Sequence, residues 1–231
     1  MIGDALRVEL ERYAATLEQE NPLYIAARRG TFTPEVAARY LVNVRHLVRH
    51  TSPHLKRARA RALARRVPAL ADHFDHKLAE ERGHDLWAEH DLQKLRARFG
   101  TPDDAGIVPT LTALLEFLER TIDRDPALYL AYVLFAEYVI AARGAEWLAV
   151  VQDVCGIPIG SMSVIAKHAE LDREHTHEGF ETIDALITEP AMLAPMRDVL
   201  LTSRDLFEGF CSEIVSHADS MDLPWMEAAT G

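Results

Sequence analysis

The chain has 231 residues, a formal net charge of −11 and two cysteines. That length suits one domain with a full core. The acidic balance argues against nucleic acid as a partner, and two cysteines give no disulfide framework, which fits a reducing cytoplasm.

Strand-like alternation is absent, and proline and glycine punctuate a run of helical segments, so the predicted class is all-α in one domain. Helices are predicted over 3–20, 34–51, 53–66, 70–98, 110–122, 126–142, 145–154, 161–187 and 196–219, with irregular stretches at 99–109 and 156–160. The N-terminal MIGDALRVELERY is amphipathic and mixed in charge, so neither a signal peptide nor a membrane anchor is expected. Thr33 before Pro34 and Ser52 before Pro53 suit helix caps, and the second marks a break or kink. The segment between carries His46, His50 and, beyond Pro53, His54. His46 and His50 share a face, so one could line a pocket as donor or base; equally, they could be a polar face beside Arg45 and Arg49. In the basic run from Lys56 to Arg66, Arg57, Arg61 and Arg65 form one face and Leu63 lies on the other side. That face is expected either in solvent or against an acidic surface of another subunit. The residues after Pro224, which lie outside those the structure describes, are expected to fray or form a short arm.

The predicted 70–98 helix has an apolar stripe of Leu70, Phe74, Leu78, Ala88, Leu92 and Leu95. Glu81 falls inside that stripe, His84 on its rim and Asp85 inward, while His90 points away. The next strong element, PALYLAYVLFAEYVIAA, follows a capping Asp125 and has Glu137 as its one charged residue. A helix apolar on all sides is a buried helix, and this one is short for a membrane span, with its charge too central. In 161–186, Val164, Ile165, Leu171, Ile183 and Leu186 form the apolar stripe, and His168, Asp172 and His175 lie in the middle of it. Glu170, Arg173, Glu174, His177, Glu181 and Asp184 fall opposite, toward water.

Titratable groups on core-facing stripes must pair, hydrogen-bond or bind a metal. Each has an ordinary explanation alone: Glu137 could pair with Arg45 or Arg49, and Asp172 could orient a histidine. Together, Glu81, His84, Glu137, His168, Asp172 and His175 come from three helices. Three carboxylates and three imidazoles suit two iron or manganese ions with carboxylate bridging, and the lack of thiolate argues against structural zinc.

The order Glu-x-x-His (Glu81, His84), a lone Glu in an apolar helix (Glu137) and His-x-x-x-Asp-x-x-His (His168, Asp172, His175) resembles the haem-oxygenase-like diiron oxidases and oxygenases. The string EERGHDLW resembles that family's first ligand motif, and the likeness spans roughly 70–186. It implies a haem-oxygenase-like bundle of about seven core helices holding two Fe2+ ions (or manganese) and no haem. The six residues would be the ligands, and the activity would be dioxygen-dependent chemistry on a small amino-acid or fatty-acid type substrate, of the kind used in natural-product biosynthesis. N-oxygenating members tend to add a carboxylate from the helix before the first ligand pair. No acidic residue lies between Glu35 and Asp72, which places C–H abstraction with desaturation, decarboxylation or C–C cleavage ahead of N-oxygenation.

Residues near the ligands are expected to wall the substrate pocket: Phe74, Asp85, Leu134, Tyr138, Ile140 and Phe180, with His46 and His50. Three rivals make different demands. A ferritin-like centre would use Glu174 and His177, a thiaminase-type hydrolase would use Cys155 or Cys211 as nucleophile, and a haem protein would use a proximal histidine such as His46. No membrane partner is expected, and a homodimer is the general expectation.

Overall fold

Proline and glycine set the helix boundaries. In a computed structural model, which describes residues 1–102 and 105–221 apart from the side chains of 173, 174 and 217–221, the described residues form nine α-helices and no strand. They are α1 (Ile2–Glu20), α2 (Pro22–Arg28), α3 (Pro34–Ala64), α4 (Pro68–Glu80), α5 (His84–Phe99), α6 (Pro109–Arg124), α7 (Tyr129–Cys155), α8 (Ser163–Leu186) and α9 (Leu193–Met221). Four helices begin on a proline, whose missing N–H falls where no intrahelical partner exists. Asn21 Oδ1 accepts from Leu23 N at 3.0 Å and Thr33 Oγ1 from Val36 N at 3.4 Å, so both act as N-caps.

Three boundaries differ from the predicted ones, each for a local reason. Pro53 lies inside α3 and does not break it. The single hydrogen bond lost at the proline is outweighed by burial of Leu55, Ala58 and Ala62 beyond it. The predicted 70–98 helix is instead two, α4 and α5, because Gly83 adopts φ +86, a left-handed turn open to glycine. Gly144 does not end α7, which runs on to Cys155. A Cβ at Gly144 would sit 3.2 Å from Ala169 Cβ, so the glycine serves the close approach of α7 to α8. The short α2 has no counterpart among the predicted elements.

The core runs through all nine helices, with Tyr129, Phe32, Phe74, Leu41 and Leu118 among its fully buried side chains. Pro126–Cys155 is longer than the sequence reading allowed, and it is the one span among the described residues apolar enough to cross a membrane; most of it is buried inside the bundle. The basic face of α3 is about half exposed, as expected of a solvated face, and also pairs within the chain. Arg57 and Arg61 bond to Asp123 at 2.5 and 2.8 Å, and Arg65 reaches Asp125 at 2.9 Å, all on the α6 side of the same chain. Leu63 and Leu171, expected on buried faces, are exposed. Asp184, expected in water, accepts the Gly3 amide at 2.7 Å.

Candidate metal centre

The six inward groups gather into two triads rather than one ring. Glu81, His84 and His168 form the first, and Glu137, Asp172 and His175 the second; within each, one ligand atom per residue lies within 4.8 Å of the others. The α4–α5 junction supplies the first pair, because the turn at Gly83 lets Glu81 and His84 face the same point from two helices. The apolar α7 supplies Glu137. Helix α8 serves both triads, with His168 one turn before Asp172.

Hydrogen bonds organise the first triad. His168 Nδ1 donates to Val164 O at 2.7 Å, which leaves Nε2 as the free lone pair. His84 Nδ1 lies 3.2 Å from Glu81 Oε2. Burial pushes the Glu81 carboxyl up, but the His84 hydrogen bond and the charges of His84 and His168 outweigh it and hold it below the usual range. Trp87 stacks on His84 with centroids 4.0 Å apart and meets His168 edge-on at 5.5 Å. On the inner side lie the buried phenols of Tyr129 and Tyr132, held neutral first by burial and also by the charge of Glu81.

Charge dominates the second triad. Burial pushes Glu137 up to about 7; Asp172 pushes the same way, while Lys77 pulls it down. Lys77 Nζ lies 3.0 Å from Glu137 Oε1 and 3.1 Å from Glu80 Oε2, at angles that make these Coulombic contacts rather than hydrogen bonds. The ammonium stays charged: burial lowers its pKa, and the two glutamates raise it by more. Asp172 Oδ1 sits 3.4 Å from His175 Nδ1, without hydrogen-bond alignment. Glu137 Oε2 and His175 Nδ1 are thus buried with no hydrogen-bond partner. Orphaned buried polar atoms are costly and few in folded proteins. Two of them aimed into a carboxylate–imidazole cluster fit a hard or borderline divalent metal such as iron or manganese.

The other expected pocket residues do not all come near. Leu134 lines a small cavity beside Glu137, together with His73, Lys77, Leu130, Gly179 and Thr182. Phe74 is fully buried in the core against Tyr129. Tyr138 and Phe180 pair with each other at 6.2 Å, with Arg7 over Phe180, and Ile140 is half-buried against Gly144. Asp85 forms an ion pair with Arg49 at 3.6 Å near solvent, and Arg45 pairs with Glu89, so neither arginine meets Glu137. His46 and His50 lean on each other at 4.6 Å along α3, outside both triads. His177 is exposed beside Glu181, and the Glu174 side chain lies outside the described residues.

Sequence reasoning passed over three residues. Lys77 and Glu80 reach the second triad, and Asp91, wholly buried, accepts from Ser163 Oγ at 2.6 Å and Val164 N at 2.7 Å, fixing the first turn of α8. Lys77 and Asp91 fall on the stripe that contains Phe74, Glu81, Ala88 and Leu95, so the helical period that flags Glu81 flags them too. As for a thiol nucleophile, burial pushes Cys155 up and Cys211 well up, Cys211 has no exposure, and neither joins a triad.

Comparison with protein-family models and with curated proteins finds no match. Among solved structures, a protein of unknown function from Shewanella denitrificans, described as having a heme oxygenase-like fold, superposes with a TM-score of 0.83 at 18% identity, covering 95% of this chain and 94% of that one. The fold is haem-oxygenase-like. A CADD-like protein of unknown function from Nostoc punctiforme superposes at 0.70 with 15% identity, covering 94% and 98%. A TenA homolog from Pseudomonas syringae gives 0.70 at 20% identity, covering 92% of each chain.

Proposed function

We propose that the chain is a non-haem diiron oxidoreductase that uses dioxygen to break a C–H bond of a small amino-acid or fatty-acid type substrate, leading to desaturation, decarboxylation or C–C cleavage. The observation that supports it most is the pair of triads strung along α8, with Glu137 Oε2 and His175 Nδ1 buried and unpartnered. Two iron ions, or manganese, held there would supply the reaction with dioxygen.

The chain's own residues supply the rest. His168 presents Nε2 because Val164 O holds its other nitrogen, and Asp91 anchors the turn that places it. Trp87 stacks against His84, and the buried Tyr129 and Tyr132 lie on the inner side of the first triad.

N-oxygenation is the second reading, and Glu80 supports it. The absence of acids between Glu35 and Asp72 weighs against an extra carboxylate, yet Glu80 on α4 brings one to 3.7 Å from His175 Nε2. Dioxygen uptake by the Fe(II)-loaded protein, with medium-chain fatty acids and with amino acids, separates the two readings. Uptake yielding an alkene or a shortened product supports C–H cleavage, an oxygenated amine supports the second reading, and no substrate-dependent uptake contradicts both.

A further inference from the structure

A buried ammonium is an odd neighbour for a divalent metal, because like charges repel strongly where water is scarce. Lys77 nevertheless has only 6% of its side chain exposed and contacts Glu137, a member of the second triad, at 3.0 Å. Its other contact, Glu80, is one turn along the same helix and keeps 22% of its side chain in water. Among the described residues, no ammonium touches a carboxylate of the first triad, and Lys77 acts on Glu81 only at longer range. Lys167, next to His168 in the chain, lies over the face of Trp87 at 4.3 Å.

We propose that Lys77 is an internal stand-in for the second metal ion. In the metal-free protein its ammonium neutralises Glu137, and loading of the Glu137–Asp172–His175 triad requires Lys77 to hand its ion pair over to Glu80. The inference rests on reading the two triads as metal sites. Lys77 and Glu80 both sit on α4, so the transfer needs a side-chain rotation and no helix movement. Lys77 touches Glu137 directly and acts on Glu81 of the first triad only from further off, so its repulsion falls mainly on the second triad; the first fills first and the second binds more weakly. Removing the ammonium tightens the second site, and removing the receiving carboxylate weakens it. A residue that merely packs would not produce opposite signs at two adjoining positions.

The test is an anaerobic Co(II) titration of the full-length metal-free protein at about pH 8, where carboxylates and imidazoles are free to ligate. Visible absorption and equilibrium dialysis would follow the wild type, Lys77→Met and Glu80→Gln, with helicity checked by circular dichroism. The wild type should bind two ions per chain in two steps, the second weaker by about tenfold or more. Lys77→Met should tighten that second step by about tenfold, Glu80→Gln should weaken it by a similar factor, and the first step should move by much less in both. Two ions bound alike in all three proteins would overturn the stand-in role while leaving the metal centre intact. A second step weakened in Lys77→Met would also overturn it. No cobalt binding by the folded wild type would overturn both the stand-in and the metal centre.

Discussion

The two triads share a helix and differ in what stabilises them without metal. In the first, hydrogen bonds from His84 and to Val164 O satisfy the ring nitrogens and hold Glu81 ionised, under an aromatic cover. In the second, an ammonium offsets crowded carboxylates while Glu137 Oε2 and His175 Nδ1 stay orphaned. The first is therefore organised in advance. The second is organised by charge, and so depends on what cation is present.

Breaking the second triad should have the largest effect on stability. Glu137→Ala leaves the buried Lys77 with Glu80 alone, and removing one partner of a buried pair costs about 3 kcal/mol or more. Urea unfolding of the metal-free protein should show that loss, and the Lys77→Met, Glu137→Ala double variant should recover much of it. In the first triad, His168→Ala should leave a folded bundle of nearly unchanged stability that has lost a metal ion and substrate-dependent dioxygen uptake. Full uptake in that variant would remove His168 from the centre.

His54 gives a test of similar size, placed away from both triads. It is buried with Nε2 unpartnered, and burial holds its pKa down to about 4. With a folded pKa below the unfolded value near 6.5, the folded state binds fewer protons. Its contribution is complete above about pH 6.5 and is lost as pH falls toward 4, by up to about 3 kcal/mol. His54→Leu should flatten that part of the acid-unfolding curve, and an unchanged slope would place the titration elsewhere.

Asp91→Ala should cost about 2 kcal/mol, since it strips the α8 N-terminus of its buried acceptor. The loss should also weaken metal binding at the first triad, one turn further on. Arg61→Ala, on the exposed α3–α6 face, should change stability by about 0.5 kcal/mol or less.

Much of this was legible in the residues. A lone glutamate in an apolar helix and three titratable groups on the stripe of α8 locate Glu137, His168, Asp172 and His175 by helical period alone. Lys77 was equally legible, but a search for metal donors does not look for a cation. Backbone breaks were harder to read. Pro53 and Gly83 both resemble stops, and only tertiary packing decides that the chain runs through the proline and turns at the glycine. Pocket walls were the least legible, because Phe74 in the core and Leu134 at the cavity are alike to any hydrophobic pattern.

The most direct test of the metal centre is iron stoichiometry after anaerobic Fe(II) loading, with optical spectra recorded on mixing with dioxygen. The account predicts about two irons per chain, falling to about one in His168→Ala, and a transient visible absorption in the wild type. A folded wild-type protein that takes up no iron would contradict it, and would leave the two triads as a buried polar network balanced by Lys77.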